Sequence, residues 1–243
     1  MLSTVIGSFP VEVKPPETFK DKLLNLFGSY DPYKSAIESI VKLQLYAGVD
    51  IIADGEVRGD MVSIFTKHIS GMKLEGNSTV INNKITKPTC EISTSDLKYA
   101  KKLLNNYYDG NVPEEKGIKG LVTGPSTIIF SSRIESFYKN KNSAIIDLAH
   151  ALRYEMEAIS KVGVKYIQID EPFLSTGLVD MKTAKEAIGI MTDGLDIPVG
   201  MHVCGTLEEV FKELTTFNLD ICIDYIRRLI VSLFMKIGGK KND

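Results

Sequence analysis

The sequence has only three cysteines in 243 residues. A small, odd number in a long chain does not make a disulfide framework. A reducing compartment, the cytoplasm, is therefore expected, and a special cysteine is expected to be a ligand or a nucleophile. Neither sign of charge is in excess. The net charge of -2 gives no reason to expect a nucleic-acid or membrane-surface partner. No apolar run reaches the roughly 20 residues of a membrane span. The opening Met1-Leu2-Ser3-Thr4-Val5-Ile6-Gly7 has no basic region leading into a long apolar one, so a signal peptide is not expected. A glycine-rich phosphate fingerprint is missing too, which weighs against a doubly wound nucleotide-binding sheet.

What is present suits a soluble domain with a sizeable core: 44% of residues are hydrophobic and 25% charged. Apolar strand-like runs alternate with helical patterns. Thr4 to Pro10 reads as a short strand ended by a Gly-Ser turn and by Pro10, which cannot donate to a ladder. Asp31 to Gly48 carries a helical stripe with Gly48 as C-cap, followed by a strand over Val49 to Glu56. Thr79-Val80-Ile81 and Lys84-Ile85-Thr86 flank Asn82-Asn83, which predicts a hairpin inside an insertion spanning 70–94. Cys90 has no nearby His or Cys in sequence and reads as structural. Ser95 is a fair cap for a helix from Leu97 to Tyr107, and Ile118 to Thr127 gives a third strand with its turn.

Ile145, Leu148, Ala149, Leu152, Met156 and Ile159 keep helical spacing between Asn142 and Val162. Val164 to Pro172 is a strand running into Asp170 and Glu171, and Lys182 to Thr192 is the next helix. Then comes Met201-His202-Val203-Cys204-Gly205. His202 and Cys204 are two apart on a strand, so both point to one face. An imidazole and a thiolate side by side make half of a zinc site. A helix is predicted over Leu207 to Leu214, and Leu219 to Asp224 is a sixth strand.

Five strand ends carry polar residues: Ser8, Glu56, Thr123, Asp170 with Glu171, and His202 with Cys204. In a (β/α)8 barrel such ends converge on one face. The expected fold is therefore α/β, a TIM-type (β/α)8 barrel with about six of its eight strands. The expected domain is one incomplete barrel over 1–243. Ser8, Glu56 and Asp60 each have a plain reading as turn or loop residues beside the functional one.

Ile6-Gly7-Ser8-Phe9-Pro10, Gly55-Glu56 with Asp60-Met61-Val62, Leu121 to Pro125, Gln168 to Pro172 and His202 to Gly205 together resemble the catalytic domain of cobalamin-independent methionine synthase. The chain is similar to the short, single-domain form of that family, in the wider class of barrels that includes uroporphyrinogen decarboxylase. The resemblance implies methyl transfer to the sulfur of homocysteine, with a methyl folate or a methylated corrinoid protein as donor. It implies Zn2+ held by His202 and Cys204. It also implies substrate contacts from Ile6, Ser8, Glu56, Met61 and Asp170, with Asp170 counted as catalytic. Ser8 would hold the carboxylate of homocysteine, and Glu56 and Asp170 its ammonium.

The family pattern has a further zinc-binding Glu after the sixth strand and a late second Cys. Tyr225 or a neighbour stands where the Glu belongs, and the region of the late Cys has no counterpart. A truncated or frameshifted chain is expected from about Cys222. Cys222 and Asp224 are candidate replacement ligands. Two other readings compete: a related zinc enzyme alkylating another thiol, and an inactive or oligomer-dependent barrel covered by its apolar segment Leu229 to Met235.

Overall fold

The computed structural model describes residues 2–11, 13, 15–225 and 234–235, with side chains described up to residue 220. In chain order the elements are α1 (Phe19–Leu26), α2 (Lys34–Tyr46), β1 (Ile51–Ile52), α3 (Ser63–Thr66), β2 (Met72–Glu75), β3 (Ser78–Ile81) and α4 (Thr94–Tyr107). Then follow β4 (Gly117–Thr123), α5 (Pro125–Phe130), β5 (Ser132–Ile134), α6 (Lys141–Ser160), β6 (Tyr166–Asp170) and a 3-10 turn (Pro172–Thr176). The chain continues with α7 (Met181–Thr192), β7 (Val199–Cys204), α8 (Phe211–Leu214), β8 (Ile221–Tyr225) and β9 (Phe234–Met235). The chain forms two compact units: residues 1–61 with 95–118, and residues 62–94 with 119–243.

In the first unit, α2 buries Ile37, Ile40, Val41 and Leu45, the helical spacing expected of its stripe. Its buried Gln44 holds the chain after β1. Gln44 Nε2 donates to the Ala53 carbonyl at 2.8 Å, and the Ala53 N–H donates to Gln44 Oε1 at 2.8 Å. β1 pairs in parallel with the start of β4, Ile51 against Gly117 and Ile52 against Ile118.

The strand expected over Thr4 to Pro10 is reduced to one parallel bridge, Thr4 to Ile51. Gly7 takes a positive φ of 88°, which breaks the extended run, and Pro10 cannot extend it. Side chains replace the ladder: Ser3 N–H donates to Asp50 at 2.7 Å, and Thr4 Oγ1 to the Ile51 carbonyl at 2.7 Å. Helix α1 was not foreseen. Its sequence signal is the capping box of Thr18 and Asp21, in which each side chain accepts from the other residue's N–H.

In the second unit β4, β6, β7 and β8 pair in parallel in that order. Every residue of β4 and β6 is buried, as parallel strands covered on both faces require. Helix α6 packs against α7 and buries Ile145, Leu148, Ala149, Leu152, Met156 and Ile159. A Cβ on Gly120 of β4 would lie 2.4 Å from Ile159 Cγ2, so α6 approaches the sheet to within glycine contact. β9 pairs antiparallel with β8. The other expectations for the tail beyond Tyr225 lie outside the described residues.

The hairpin forms one pairing earlier than its sequence suggested. β2 and β3 are antiparallel, with Glu75 opposite Ser78, so the turn is Gly76-Asn77 and not Asn82-Asn83. Gly76 supplies the positive φ (60°) that a tight turn needs. This register buries Val80 and Ile81, while the Asn82 N–H donates to the Gly71 carbonyl at 3.1 Å. β5 then adds in parallel to β3. Helix α8 is shorter than its pattern, covering only Phe211–Leu214.

Candidate active site

Ile6, Ser8, Glu56 and Met61 belong to the first unit. Ile6 and Ser8 are exposed, and Glu56 and Met61 are half-buried. A backbone bond from the Phe9 N–H to the Gly55 carbonyl at 3.0 Å joins the two segments. Gly55 has φ 93°, and a Cβ there would meet Ile40 Cγ2 at 2.9 Å. Glu56 itself sits at φ 51°, a left-handed conformation that costs a non-glycine residue energy. Its N–H donates to the buried Asp54 carboxylate at 3.2 Å. Burial pushes the Asp54 carboxyl up to about 6, with Asp96 adding in the same direction.

Arg58 fixes the other side of this loop. Its guanidinium donates to Asp96 at 2.5 and 2.7 Å and to Asp31 at 2.5 and 3.2 Å, and it lies 5.2 Å from the Tyr33 ring centroid. A planar five-donor fork can serve two carboxylates at once. Nothing in the local sequence reveals this partnership, because Asp31 and Asp96 are far from Arg58 in the chain.

Asp170, His202 and Cys204 belong to the second unit. Asp170 ends β6 and is the register partner of both Thr123 on β4 and His202 on β7. The Glu171 N–H donates to the His202 carbonyl at 2.9 Å, so the ladder runs past Asp170. Burial raises the pKa of Asp170, opposed by the Gln168 hydrogen bond and by the charges of His202 and Lys119. His202 is buried and Cys204 half-buried on the same face of β7. The Cys204 carbonyl accepts from Ser175 Oγ at 2.7 Å, and Gly205, at φ 118°, leaves room for that hydroxyl.

Glu171 has a structural task. Fully buried, it accepts from the Ser126 and Thr127 N–H groups at 2.9 and 2.8 Å and from Thr127 Oγ1 at 2.7 Å. These are orphan donors of the first turn of α5. A Cβ on Gly124 would lie 2.2 Å from Glu171 Cγ, so that position admits only glycine.

His202 and Cys204 are donors of the right kinds for zinc, together half of a tetrahedral shell. No group of three metal-binding side chains forms among the described residues. The register bears on the two replacement candidates. His202 and Cys204 pair with Ile223 and Tyr225, whereas Cys222 and Asp224 pair with Met201 and Val203. Neither Cys222 nor Asp224 is thus a register partner of His202 or Cys204. Cys90 does have a histidine neighbour, contrary to its sequence reading: its Sγ lies 3.3 Å from His68 Nδ1. The bridge from Ile69 to Pro88 brings these two segments together.

Residues 1–241 match the family described as cobalamin-independent synthase, catalytic domain. The chain belongs to that family. The family resemblance is close in two archaeal proteins named methionine synthase. One, from Methanothermobacter thermautotrophicus, is 49% identical over 223 residues, covering 91% of this chain and 71% of that protein. The other, from Methanocaldococcus jannaschii, is 48% identical over 223 residues, covering 91% of this chain and 68% of that protein. The fold also matches a B12-independent methionine synthase from a Shewanella species, solved in complex with selenomethionine. That match has a TM-score of 0.70 at 22% identity, covering 90% of this chain and 72% of the other. The family fold is α/β of the TIM-barrel type. No helix among the described residues is long and apolar enough to cross a membrane.

Proposed function

We propose that this chain transfers a methyl group to the sulfur of homocysteine, forming methionine. The observation that carries the reading is the His202–Cys204 pair on one face of β7, with Asp170 opposite His202 in register, in a chain of this family. A thiol has a pKa of about 8.5 and attacks only as the thiolate. His202 and Cys204 would hold zinc, which when bound supplies the positive charge that keeps a thiol ionised at neutral pH. In the transfer, the bond from methyl to donor breaks with its electron pair left on the donor, a carbon–sulfur bond forms, and the thiol proton passes to solvent, from which a folate leaving nitrogen would take one back. Within the second unit, Asp170 is proposed to hold the substrate ammonium. The donor is a methyl folate or the methyl-corrinoid of a partner protein.

The test is metal analysis of purified protein beside a Cys204→Ala control, followed by a donor screen. About one zinc per chain, lost in the control, is expected. Methionine formation from either methyl folate or methylcobalamin then identifies the donor. Absence of zinc from the unaltered protein, together with no methionine from either donor, would overturn the reading.

A further inference from the structure

Asp170, which the proposed chemistry uses, ends a line of three buried polar side chains whose other two members that chemistry does not use. Lys119, Gln168 and Asp170 are exposed by 0%, 0% and 6%. Lys119 Nζ donates to Gln168 Oε1 at 2.7 Å, and Gln168 Nε2 donates to Asp170 Oδ1 at 2.6 Å. Strand geometry explains the line. Gln168 and Asp170 are two apart on β6 and share a face, and Lys119 of β4 is the register partner of Tyr166, two residues before Gln168.

An amide can present either its oxygen or its NH2 group to a neighbour. Next to a carboxylate, only the NH2 end is attractive. A lysine ammonium can only donate, so it accepts the oxygen end and no other. Lys119 therefore decides which way Gln168 faces. Without it, the amide could turn its oxygen toward Asp170, and a bond would become a repulsion. A buried lysine is an expensive way to hold an amide, since its charge must leave water. Its position behind a strand-end carboxylate gives that burial a purpose.

We infer that Lys119 and Gln168 are positioning residues for substrate selection, aiming the Asp170 carboxylate at the ammonium group of the amino-acid substrate through a lysine-oriented amide. The inference rests on the proposed function, in which Asp170 receives that ammonium.

The experiment compares binding of homocysteine with that of 4-sulfanylbutanoate, the same thiol acid without the amino group, by calorimetry on the purified chain. The unaltered protein is expected to prefer homocysteine. In Gln168→Met, which keeps the volume and removes the donor, the preference is expected to fall about tenfold, the order expected for aiming one charge-assisted contact. Lys119→Met is expected to lower it similarly. The double variant is expected to lose no more than Gln168→Met alone, because the lysine acts through the amide. Gln168→Glu keeps a partner for Lys119 while turning an oxygen toward Asp170, and it tests the same point if Gln168→Met does not fold. A purely packing role would weaken both ligands alike and leave their ratio unmoved. An unchanged ratio in variants of a protein that does discriminate overturns the inference alone. An unaltered protein that binds the two ligands equally overturns the ammonium role of Asp170, and the inference falls with it.

Discussion

Glu171 and Thr127 are joined twice: the buried carboxylate accepts the Thr127 backbone N–H at 2.8 Å and its hydroxyl at 2.7 Å. The pair lies 44 residues apart in sequence and ties the end of β6 to the start of α5. Removing the carboxylate would strand buried donors in the first turn of α5. Glu171→Ala is expected to cost about 3 kcal/mol of stability, since unsatisfied buried donors cost about 1–3 kcal/mol each. Thr127→Val, which removes only the hydroxyl, is expected to cost about 1 kcal/mol. Urea denaturation of both variants checks the ranking, and equal stabilities would contradict it.

Asp54 makes a prediction about pH. Its carboxyl is pushed up from 3.8 to about 6 by burial. The folded chain therefore holds this proton more tightly than the unfolded chain. Its contribution to stability is fully present below pH 3.8 and is lost as pH rises through about 6. The span is worth about 3 kcal/mol at roughly 1.4 kcal/mol per pKa unit. Asp54→Asn is expected to remove this part of the slope. Thermal melts of both proteins across that window measure it, and parallel curves would count against it.

Gly120 predicts a steric cost with a remedy. Gly120→Ala would put a Cβ 2.4 Å from Ile159 Cγ2 on α6, where Ile159 is itself fully buried. Overpacking of this kind costs about 1–3 kcal/mol. Because the nearest atom is the Ile159 branch methyl, Ile159→Ala in the same chain is expected to recover part of that loss. A double variant less stable than the sum of the two single costs would sink the explanation.

Gln44 predicts a local loosening. Gln44→Leu keeps the bulk inside α2 but abandons the Ala53 N–H and carbonyl. A loss of about 2 kcal/mol is expected. Amide hydrogen exchange should rise at Ala53 ahead of β1 and α2. Unchanged exchange at Ala53 would mean that the amide clip is dispensable.

The sequence by itself determined the alternation of strands and helices, the buried stripes of α2 and α6, and the placing of Asp170, His202 and Cys204 at strand ends. These are properties of local periodicity: a repeat of two or of 3.6 residues states which side chains share a face whatever lies beyond. The His202–Cys204 face and the family motifs were legible for the same reason, since their residues are close in sequence. The tertiary structure decided everything that joins distant residues. It replaced the first strand by one bridge, because the φ of Gly7 ended the run. It moved the hairpin turn to Gly76-Asn77, because that register buries Val80 and Ile81. It set Cys90 beside His68, Arg58 between Asp31 and Asp96, and Lys119 behind Gln168. A sequence pattern carries no signal for such pairs, because a buried polar group needs some partner but does not name it; only the packing of the strands and helices around it chooses which donor comes within reach.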